Sequence, residues 1–310
     1  MPVLAGEGLP LSPSPEPASV GRPSLPLRAM RLLITGAAGM LGTDVQSAAA
    51  GAGHEVVALS RAELDICDRE AVLAAVEASR PDAIVNCAAY TKVDAAESDP
   101  DAAAAVNATG PGLLGEAATA VGAWVVHVST DYVFDGTKTS PYVESDPTNP
   151  RSVYGSTKLL GERALALAAP ERHTVVRSSW LFGAAGPCFP ATMLRLASER
   201  DTLTVVQDQV GCPTFTGHLA PVLVELATRT RPAGVLHAAA AGDCSWYEFA
   251  VEIMRATRTT VDVTPITTEQ FPTPARRPPY SVLRSERPGA PSLPDWRQGL
   301  NDYLKARVAA

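Results

Sequence analysis

The sequence has little of what marks a secreted, membrane-spanning or nucleic-acid-binding protein. Its five cysteines are widely spaced and form no C-x-x-C pair, which argues against a disulfide framework or a structural zinc site and favours a cytoplasmic protein. No apolar run reaches the roughly 18 residues of a membrane helix, so we expect no membrane span. The formal net charge of −7 disfavours a nucleic-acid partner, although local donors could still bind a small anion.

The composition is typical of a soluble enzyme, apart from the beginning of the chain. Hydrophobic residues make up 46% of the 310 positions and charged residues 19%, enough for one large domain or two smaller ones. Residues 1–29 are rich in Pro and Ser and show neither a helix nor a strand period. We predict that this extension is disordered, since it cannot bury enough apolar surface to offset its ordering entropy.

From Met30 onward, short apolar runs alternate with helical stretches. The runs "RLLIT", "EVVAL", "PDAIVN", "AWVVHVST" and "HTVVRSSWLF" read as strands, with a long Ala-rich helix predicted over residues 99–122. Continuous apolar strands that alternate with helices indicate a parallel sheet covered on both faces. The sequence therefore predicts an α/β fold with a doubly wound, Rossmann-like parallel sheet.

A glycine-rich turn follows the first of these strands. In "LLITGAAGMLG", the first glycine allows a tight turn, the second lets the backbone approach a pyrophosphate, and the third lets the following helix pack closely on the sheet. The free N–H groups and positive dipole end of that helix can hold phosphates. We therefore predict a dinucleotide site that includes Gly36, Gly39, Met40, Leu41 and Gly42.

The end of the second strand favours NADPH as the dinucleotide, with NADH possible. An acid at this position would bind the ribose 2′-hydroxyl of NAD, whereas an arginine accommodates the 2′-phosphate of NADP. The strand is followed by Ser60 and Arg61. Arg61 is thus predicted to bind the cofactor, the alternative being a solvated arginine.

The segment "VYGSTK" places Tyr154 one helical turn before Lys158. Residues four apart share one face of a helix, so the phenol and the ammonium can meet. A nearby positive charge would lower the pKa of the tyrosine and make it usable in proton transfer. Alone, this common spacing more often marks a surface Tyr and Lys, so the rest of the chain must decide.

Taken together, the motifs resemble those of the dTDP-4-dehydrorhamnose reductase family within the extended short-chain dehydrogenase/reductase superfamily. The similarity runs from Met30 to the C-terminus through nine segments in order: "ITGAAGMLG", "LDICD", "PDAIVNCAAYTKVDAAE", "VNATG", "VVHVSTDYVFDG", "YGSTKLLGE", "RSSWLFG", "DQVGCPT" and "RRPPYSVL". The resemblance implies an NAD(P)-binding core over residues 30–183. It also implies a mainly substrate-binding lobe over residues 184–310, interleaved with the core.

The resemblance implies catalytic and substrate-binding roles. Tyr154 would donate a proton to the C4 carbonyl oxygen of the substrate, and Lys158 would bind the nicotinamide ribose and lower the tyrosine pKa. Thr130 would hydrogen-bond to the reacting oxygen. Asp131 and Trp180 would contact the sugar nucleotide, with a buried core tryptophan as the alternative reading of Trp180.

On the cofactor side, the resemblance implies that two further segments contact the dinucleotide. Asp65 and Ile66 match the pair that lies against the adenine, and the segment Ala89, Tyr90 and Thr91 passes over the cofactor. Asn107 is expected to be structural and to tie a helix to the sheet. Arg276 and Arg277 match possible diphosphate contacts, but a solvated pair is an equal alternative.

Some family members bridge a dimer through magnesium held by acidic side chains. Asp44 supplies one acid here, but Thr216 and Gly217 stand where a second would be expected. A magnesium site is therefore doubtful, and the oligomeric state stays open, a homodimer being possible.

The function implied is NADPH-dependent reduction of the C4 ketone of a dTDP-4-keto-6-deoxyhexose. Three alternatives stay open: a 4-ketoreductase of another dTDP-deoxysugar, an epimerase or dehydratase of the same fold, and a non-catalytic regulatory subunit. An epimerase or dehydratase of this fold would need a further acid/base residue beside the catalytic tyrosine, such as a Glu after Asp131. Tyr132 stands at that position and argues against this alternative.

Overall fold

The computed structural model describes residues 28–309. The predicted disordered extension lies outside this range except for its last two residues, so that expectation stays a prediction. The strands are β1 (Arg31–Thr35), β2 (Glu55–Leu59), β3 (Ala83–Asn86), β4 (Trp124–Thr130), β5 (His173–Ser178), β6 (Leu181–Phe182), β7 (Thr202–Val206), β8 (Val210–Gly211), β9 (Thr214–Phe215), β10 (Gly234–His237), β11 (Cys244–Ser245) and β12 (Asp262–Ile266).

Ten α-helices are found in the described part of the chain. They are α1 (Met40–Gly51), α2 (Arg69–Ser79), α3 (Val93–Ala96), α4 (Pro100–Ala104), α5 (Gly110–Val121), α6 (Val153–Ala168), α7 (Phe189–Glu199), α8 (Thr216–Glu225), α9 (Trp246–Thr257) and α10 (Trp296–Ala309). Within residues 28–309, no helix is long and apolar enough to cross a membrane.

A six-stranded parallel sheet organises the molecule and confirms the predicted doubly wound fold. Its strand order is β10-β5-β4-β3-β1-β2. Leu32 and Ile34 of β1 face a core cluster shared with α1 and α8, whereas Leu33 faces a second cluster with α2, α5 and α6. This alternation buries both faces of the sheet, as the continuous apolar strands require.

The strand order reverses between β1 and β3, because the chain leaves β1 for β2 on one side and then returns to β3 on the other. In open α/β sheets, ligands bind outside the carboxyl ends of the strands at such a switch point. The glycine turn after β1, the segment after β3 and Thr130 at the end of β4 are therefore brought to one edge.

The second half of the chain contributes both to this sheet and to a separate apolar cluster. Strand β10 pairs with β5, while α7, α9 and α10 pack around Phe182, Phe249 and Trp296. The start of α9 carries a capping box between Ser245 and Glu248. The division at residues 183 and 184 stays a proposal.

Two local structures differ from the sequence expectation. The predicted Ala-rich helix is interrupted by a π-helical segment, Ala105–Thr109, between α4 and α5. The parallel pair formed by β7 and β12 was not predicted. Pro265 and the mostly exposed positions of β12 remove the apolar pattern that would have revealed it.

Candidate active site

A cavity of about 710 Å³ lies at the carboxyl ends of β1, β3 and β4. Apart from Arg276 and Arg277, every residue that the sequence suggested for cofactor, substrate or catalysis lines it. They are Gly36, Gly39, Met40, Leu41, Gly42, Arg61, Asp65, Ile66, Ala89, Tyr90, Thr91, Thr130, Asp131, Tyr154, Lys158 and Trp180. The fold thus brings residues from both halves of the chain into one site, while their individual roles stay proposals.

The glycine turn has the steric features of a dinucleotide cradle. Gly36 has a φ of +66°, and a Cβ there would lie 2.6 Å from the backbone nitrogen of Ala88. A Cβ on Gly42 would lie 2.3 Å from the carbonyl oxygen of Gly36. No side chain from the described residues caps the start of α1. Its first N–H groups therefore suit a pyrophosphate, and the chain fits a dinucleotide here.

The end of β2 presents an exposed Arg61 at one side of the cavity. Asp65, further along the same turn, accepts a hydrogen bond from the backbone N–H of Cys67 at 3.0 Å, and this bond together with Arg61 lowers its pKa. Ile66 packs against Gly110, where a Cβ would lie 2.5 Å from its Cδ1. Arg61 therefore places a positive charge at the edge of the cavity beyond the end of β2, and its role toward the cofactor stays a proposal.

Asn107 ties the interrupted helix to the segment that follows β3. Its Oδ1 accepts from the backbone N–H of Tyr90 at 2.8 Å, and its Nδ2 donates to the Tyr90 carbonyl at 3.1 Å. Nδ2 also lies 3.3 Å from the hydroxyl oxygen of Thr157 on α6. The Asn107 amide of the π-helical segment thus fixes the backbone of Tyr90, which lines the cavity. This agrees with the expected structural role of Asn107.

Tyr154 lies in the first turn of α6, beside the end of β4. Ser152 caps this helix by accepting from the N–H of Gly155 at 3.1 Å. Burial raises the pKa of Tyr154 to about 12, and hydrogen bonding with the Thr130 hydroxyl only partly offsets this. The phenol is therefore protonated throughout the neutral range, as a proton donor should be.

Asp131, which follows Thr130 at the end of β4, is almost completely buried. Asp131 is 1% exposed, its Oδ1 accepts from the Thr130 hydroxyl at 3.0 Å, and burial raises its pKa to about 6. The Thr130 hydroxyl oxygen also accepts from the Tyr132 N–H at 3.2 Å. These bonds fix the Thr130 side chain within reach of Tyr154.

Lys158 is buried, 2% exposed, and its amine contacts a backbone carbonyl and a histidine. Its Nζ donates to the Val128 carbonyl at 2.7 Å and lies 3.2 Å from Nε2 of His127. Burial is the main influence on the pKa of Tyr154, which it raises, so the expectation that Lys158 lowers this pKa stays a prediction. Desolvation also lowers the pKa of Lys158 itself, to about 8.

Two stacked tryptophans form another part of the cavity wall. The rings of Trp180 and Trp246 lie 3.5 Å apart with an interplanar angle of 2°, and Trp180 has a φ of +49°. Gly211 makes room for this indole, since a Cβ there would lie 2.5 Å from the Trp180 ring. Trp180 is therefore a wall residue and is only partly buried, unlike a core tryptophan. Trp246 was missed because it lies far along the chain, on α9.

His127 was also missed, although the sequence held a signal for it. It is the one polar residue in the interior of the apolar run "VVHV" of β4 and is 0% exposed. A buried polar side chain requires hydrogen-bond partners, so such a residue indicates a network. Here the partners are Asn86 on β3 and Lys158 on α6.

The remaining candidate positions lie elsewhere or are engaged. Arg277 pairs with Asp94 at 2.8 Å, while Arg276 is exposed, and neither lines the cavity. Asp44 on α1 has one buried oxygen without a hydrogen-bond partner in the described part of the chain. Among residues 28–309, no group of three or more His, Cys, Asp or Glu side chains could hold a metal ion.

Comparisons with known proteins agree with this architecture. The model of the RmlD substrate binding domain family matches residues 30–308. A dTDP-4-dehydrorhamnose reductase from Mycolicibacterium smegmatis is 43% identical over 93% of this chain and 89% of its own. A probable dTDP-4,6-dihydroxy-2-methyloxan-3-one 4-ketoreductase from Streptomyces antibioticus is 43% identical over 91% and 97%.

A solved structure shows the same fold with a bound cofactor. The dTDP-4-dehydrorhamnose reductase of Bacillus anthracis in complex with NADP superposes with a TM-score of 0.86 and 36% identity, covering 90% of this chain and 100% of that one. With a family model spanning nearly all of the described residues and relatives of this similarity, the chain belongs to the RmlD substrate binding domain family, that of the dTDP-4-dehydrorhamnose reductases.

Proposed function

We propose that the protein reduces the C4 ketone of dTDP-4-dehydro-L-rhamnose to dTDP-L-rhamnose with NADPH. The observation that carries this proposal is the meeting of Tyr154, Thr130 and Lys158 in one cavity with the glycine turn. A proton donor, a second hydroxyl and a dinucleotide cradle are what carbonyl reduction by a nicotinamide requires.

Bound NADPH would supply the hydride. Tyr154 keeps its proton at neutral pH, because burial raises its pKa to about 12, and can give that proton to the oxygen on which charge develops. Thr130 is held beside Tyr154 by Asp131 and the Tyr132 N–H, and its hydroxyl would donate to the same oxygen once its proton turns from Asp131 to the substrate. Trp180 and Trp246 offer apolar faces to the sugar or base.

NADPH is preferred over NADH in this proposal because of the charge at the end of β2. Arg61 lies on the cavity and no acid occupies the position that would bind the ribose hydroxyls of NAD. The B. anthracis relative was solved with NADP, which supports the same choice.

A second candidate is the 4-ketoreduction of another dTDP-deoxysugar. The Streptomyces antibioticus relative, which is named for such a reaction, is as similar to this chain as the reductase from M. smegmatis. The two candidates use the same catalytic groups and differ in the sugar that fits the cavity.

The proposal is tested by NADPH oxidation at 340 nm with dTDP-4-keto-6-deoxy-L-mannose, followed by NMR of the product. We expect Tyr154→Phe to bind NADPH but to lower kcat by roughly 10²–10⁴, the usual contribution of a general acid. Tyr247→Phe is the matched control, since Tyr247 does not line the cavity.

Each outcome separates the candidates. Formation of dTDP-L-rhamnose supports the dTDP-4-dehydrorhamnose reductase. Formation of the other C4 epimer, or activity only with the dTDP-4-keto-6-deoxy-D-sugar, supports the 4-ketoreductase of another dTDP-deoxysugar. No oxidation with any dTDP-4-ketosugar, or normal turnover by folded Tyr154→Phe, would overturn the proposed function.

A further inference from the structure

A chain of buried polar side chains crosses three strands and ends at Lys158. The Thr35 hydroxyl donates to Asn86 Oδ1 at 2.7 Å, and Asn86 Nδ2 lies 2.9 Å from His127 Nδ1. His127 Nε2 lies in turn 3.2 Å from Lys158 Nζ. Each of these residues is at most 2% exposed, so water cannot easily substitute for a missing partner.

The donors and acceptors in this chain are determined by one backbone group. The N–H of Ala88, which can only donate, points at Asn86 Oδ1 at 3.1 Å. The other end of the amide must therefore be the NH₂ group, which donates to His127 Nδ1. Burial and the neighbouring Lys158 hold the pKa of His127 well below its ordinary value, so the imidazole is neutral. A neutral imidazole carries one N–H, and here it must be on Nε2.

The Nε2–H group of His127 faces an amine that is charged under ordinary conditions. An ammonium has three donors and no acceptor, so it cannot bond to another donor. A neutral amine can accept from His127 Nε2–H and still donate to the Val128 carbonyl at 2.7 Å. The two contacts of Lys158 are therefore satisfied together only when the lysine is uncharged.

We propose that His127 is a positioning residue that holds the neutral form of Lys158 beside β4, and that Lys158 leaves His127 when it takes up a proton from solvent. The amine gains the proton, His127 Nε2–H loses its acceptor, and the new ammonium turns its three donors to the cavity. Only one part of this inference rests on the proposed function, namely that the charged lysine then acts on the cofactor and on Tyr154.

The other groups around Lys158 do not account for a neutral amine. Glu162, one turn further along α6, favours the charged form, and its own charge is matched by Arg177. Cys87, after β3, is a neutral thiol, because burial raises its pKa to about 12. Burial lowers the pKa of Lys158 to about 8 in spite of Glu162, and the His127 contact acts in the same direction.

The first test measures the tautomer of His127 in the cofactor-free full chain with ¹⁵N-labelled histidine. Long-range ¹H–¹⁵N NMR is recorded between about pH 6.5 and 9.5, and His127→Gln identifies the signal. We expect an unprotonated Nδ1, a protonated Nε2, and a single shift of the Nε2 signal near pH 8 as Lys158 titrates. The Nδ1–H tautomer, an imidazolium, or a signal constant with pH would overturn the proposal.

The second test measures proton uptake on NADPH binding, by calorimetry at pH 8 in two buffers of different ionisation enthalpy. The wild type should take up about half a proton, because Lys158 is then half charged before binding. His127→Gln should take up less than the wild type, since an amide oxygen accepts from an ammonium and favours the charged lysine, although the burial of Lys158 is unchanged. His173→Gln is the matched control, a buried histidine at the far end of β5, and should behave as the wild type.

Equal uptake in wild type and His127→Gln would also overturn the inference. If His127→Gln does not fold, the tautomer in the wild type decides alone. Absence of sugar reduction with the expected tautomer would refute the reductase proposal and leave the role of His127 intact, so the two failures are distinguishable.

Discussion

The difference in stability between Lys158→Met and the wild type should depend on pH. The substitution should be more favourable, or less costly, at neutral pH than at alkaline pH. Methionine has a similar length and no charge, whereas Lys158 is 2% exposed and its pKa falls from 10.5 to about 8 on burial. Since a tenfold change in an equilibrium corresponds to about 1.4 kcal/mol, the charged lysine costs the fold about 3 kcal/mol at pH 7.

The sign of the pH dependence follows from the two states of Lys158. Between pH 8 and 10.5 the unfolded chain still binds this proton and the folded chain does not, so raising the pH stabilises the wild type. Methionine has no such dependence. The wild type should therefore gain about 2.5 kcal/mol in its free energy of unfolding relative to Lys158→Met between pH 7 and 10.

The assay is urea denaturation of both proteins without cofactor at pH 7, 8.5 and 10. Lys158→Met also loses the contacts with Val128 and His127, so only the change of the stability difference with pH is compared, because linkage ties that change to the folded and unfolded pKa values of Lys158. Lys305→Met, at an exposed position on α10, is the control and should show no comparable trend. A constant difference between the wild type and Lys158→Met from pH 7 to 10 would refute the reasoning.

Three further predictions concern the cradle, the cofactor and the helix. Gly42→Ala would place its methyl 2.3 Å from a carbonyl oxygen of the turn, so NADPH binding measured by fluorescence should be lost or the fold disrupted, and normal affinity would contradict the cradle. Arg61→Ala should weaken NADPH binding by roughly tenfold or more, about the 1.5–3 kcal/mol of a charge-assisted hydrogen bond, and leave NADH unchanged, as competition titrations can check. Glu162→Gln should destabilise the protein by about 3–5 kcal/mol in chemical denaturation, because it leaves the buried Arg177 charge without its partner, and a loss below 1 kcal/mol would argue against this account.

The sequence predicted those parts of the site whose residues lie close together along the chain. The glycine turn requires only its strand and helix, and "VYGSTK" places Tyr154 and Lys158 on one helical face by spacing alone. The strand pattern likewise predicted the parallel sheet, whose switch point positions the cavity. These features depend on local sterics and on hydrophobic period, both of which are readable from consecutive residues.

What the sequence did not predict depends on residues that meet only in the folded chain. Trp180 and Trp246 stack because β6, β8 and α9 bring them together, and nothing near either residue indicates the other. The π-helical interruption arises where Asn107 bonds to the Tyr90 backbone, at the cost of regular helical bonding. The apolar run around His127 indicated a buried polar network, but the contact of His127 with Lys158 on α6 forms only in the folded chain.

The orientation of the catalytic helix is itself a product of such long-range contacts. Tyr154, Lys158 and Glu162 follow one another at intervals of four, so they share a face of α6. Glu162 accepts from the Ser129 hydroxyl at 2.5 Å and receives two bonds from Arg177, at 2.9 and 2.7 Å. Ser129 precedes Thr130 on β4, and Arg177 lies on β5. The carboxylate therefore locks the rotation of α6 to the two strands beneath it, and this rotation is what directs Tyr154 toward Thr130 and Lys158 toward His127.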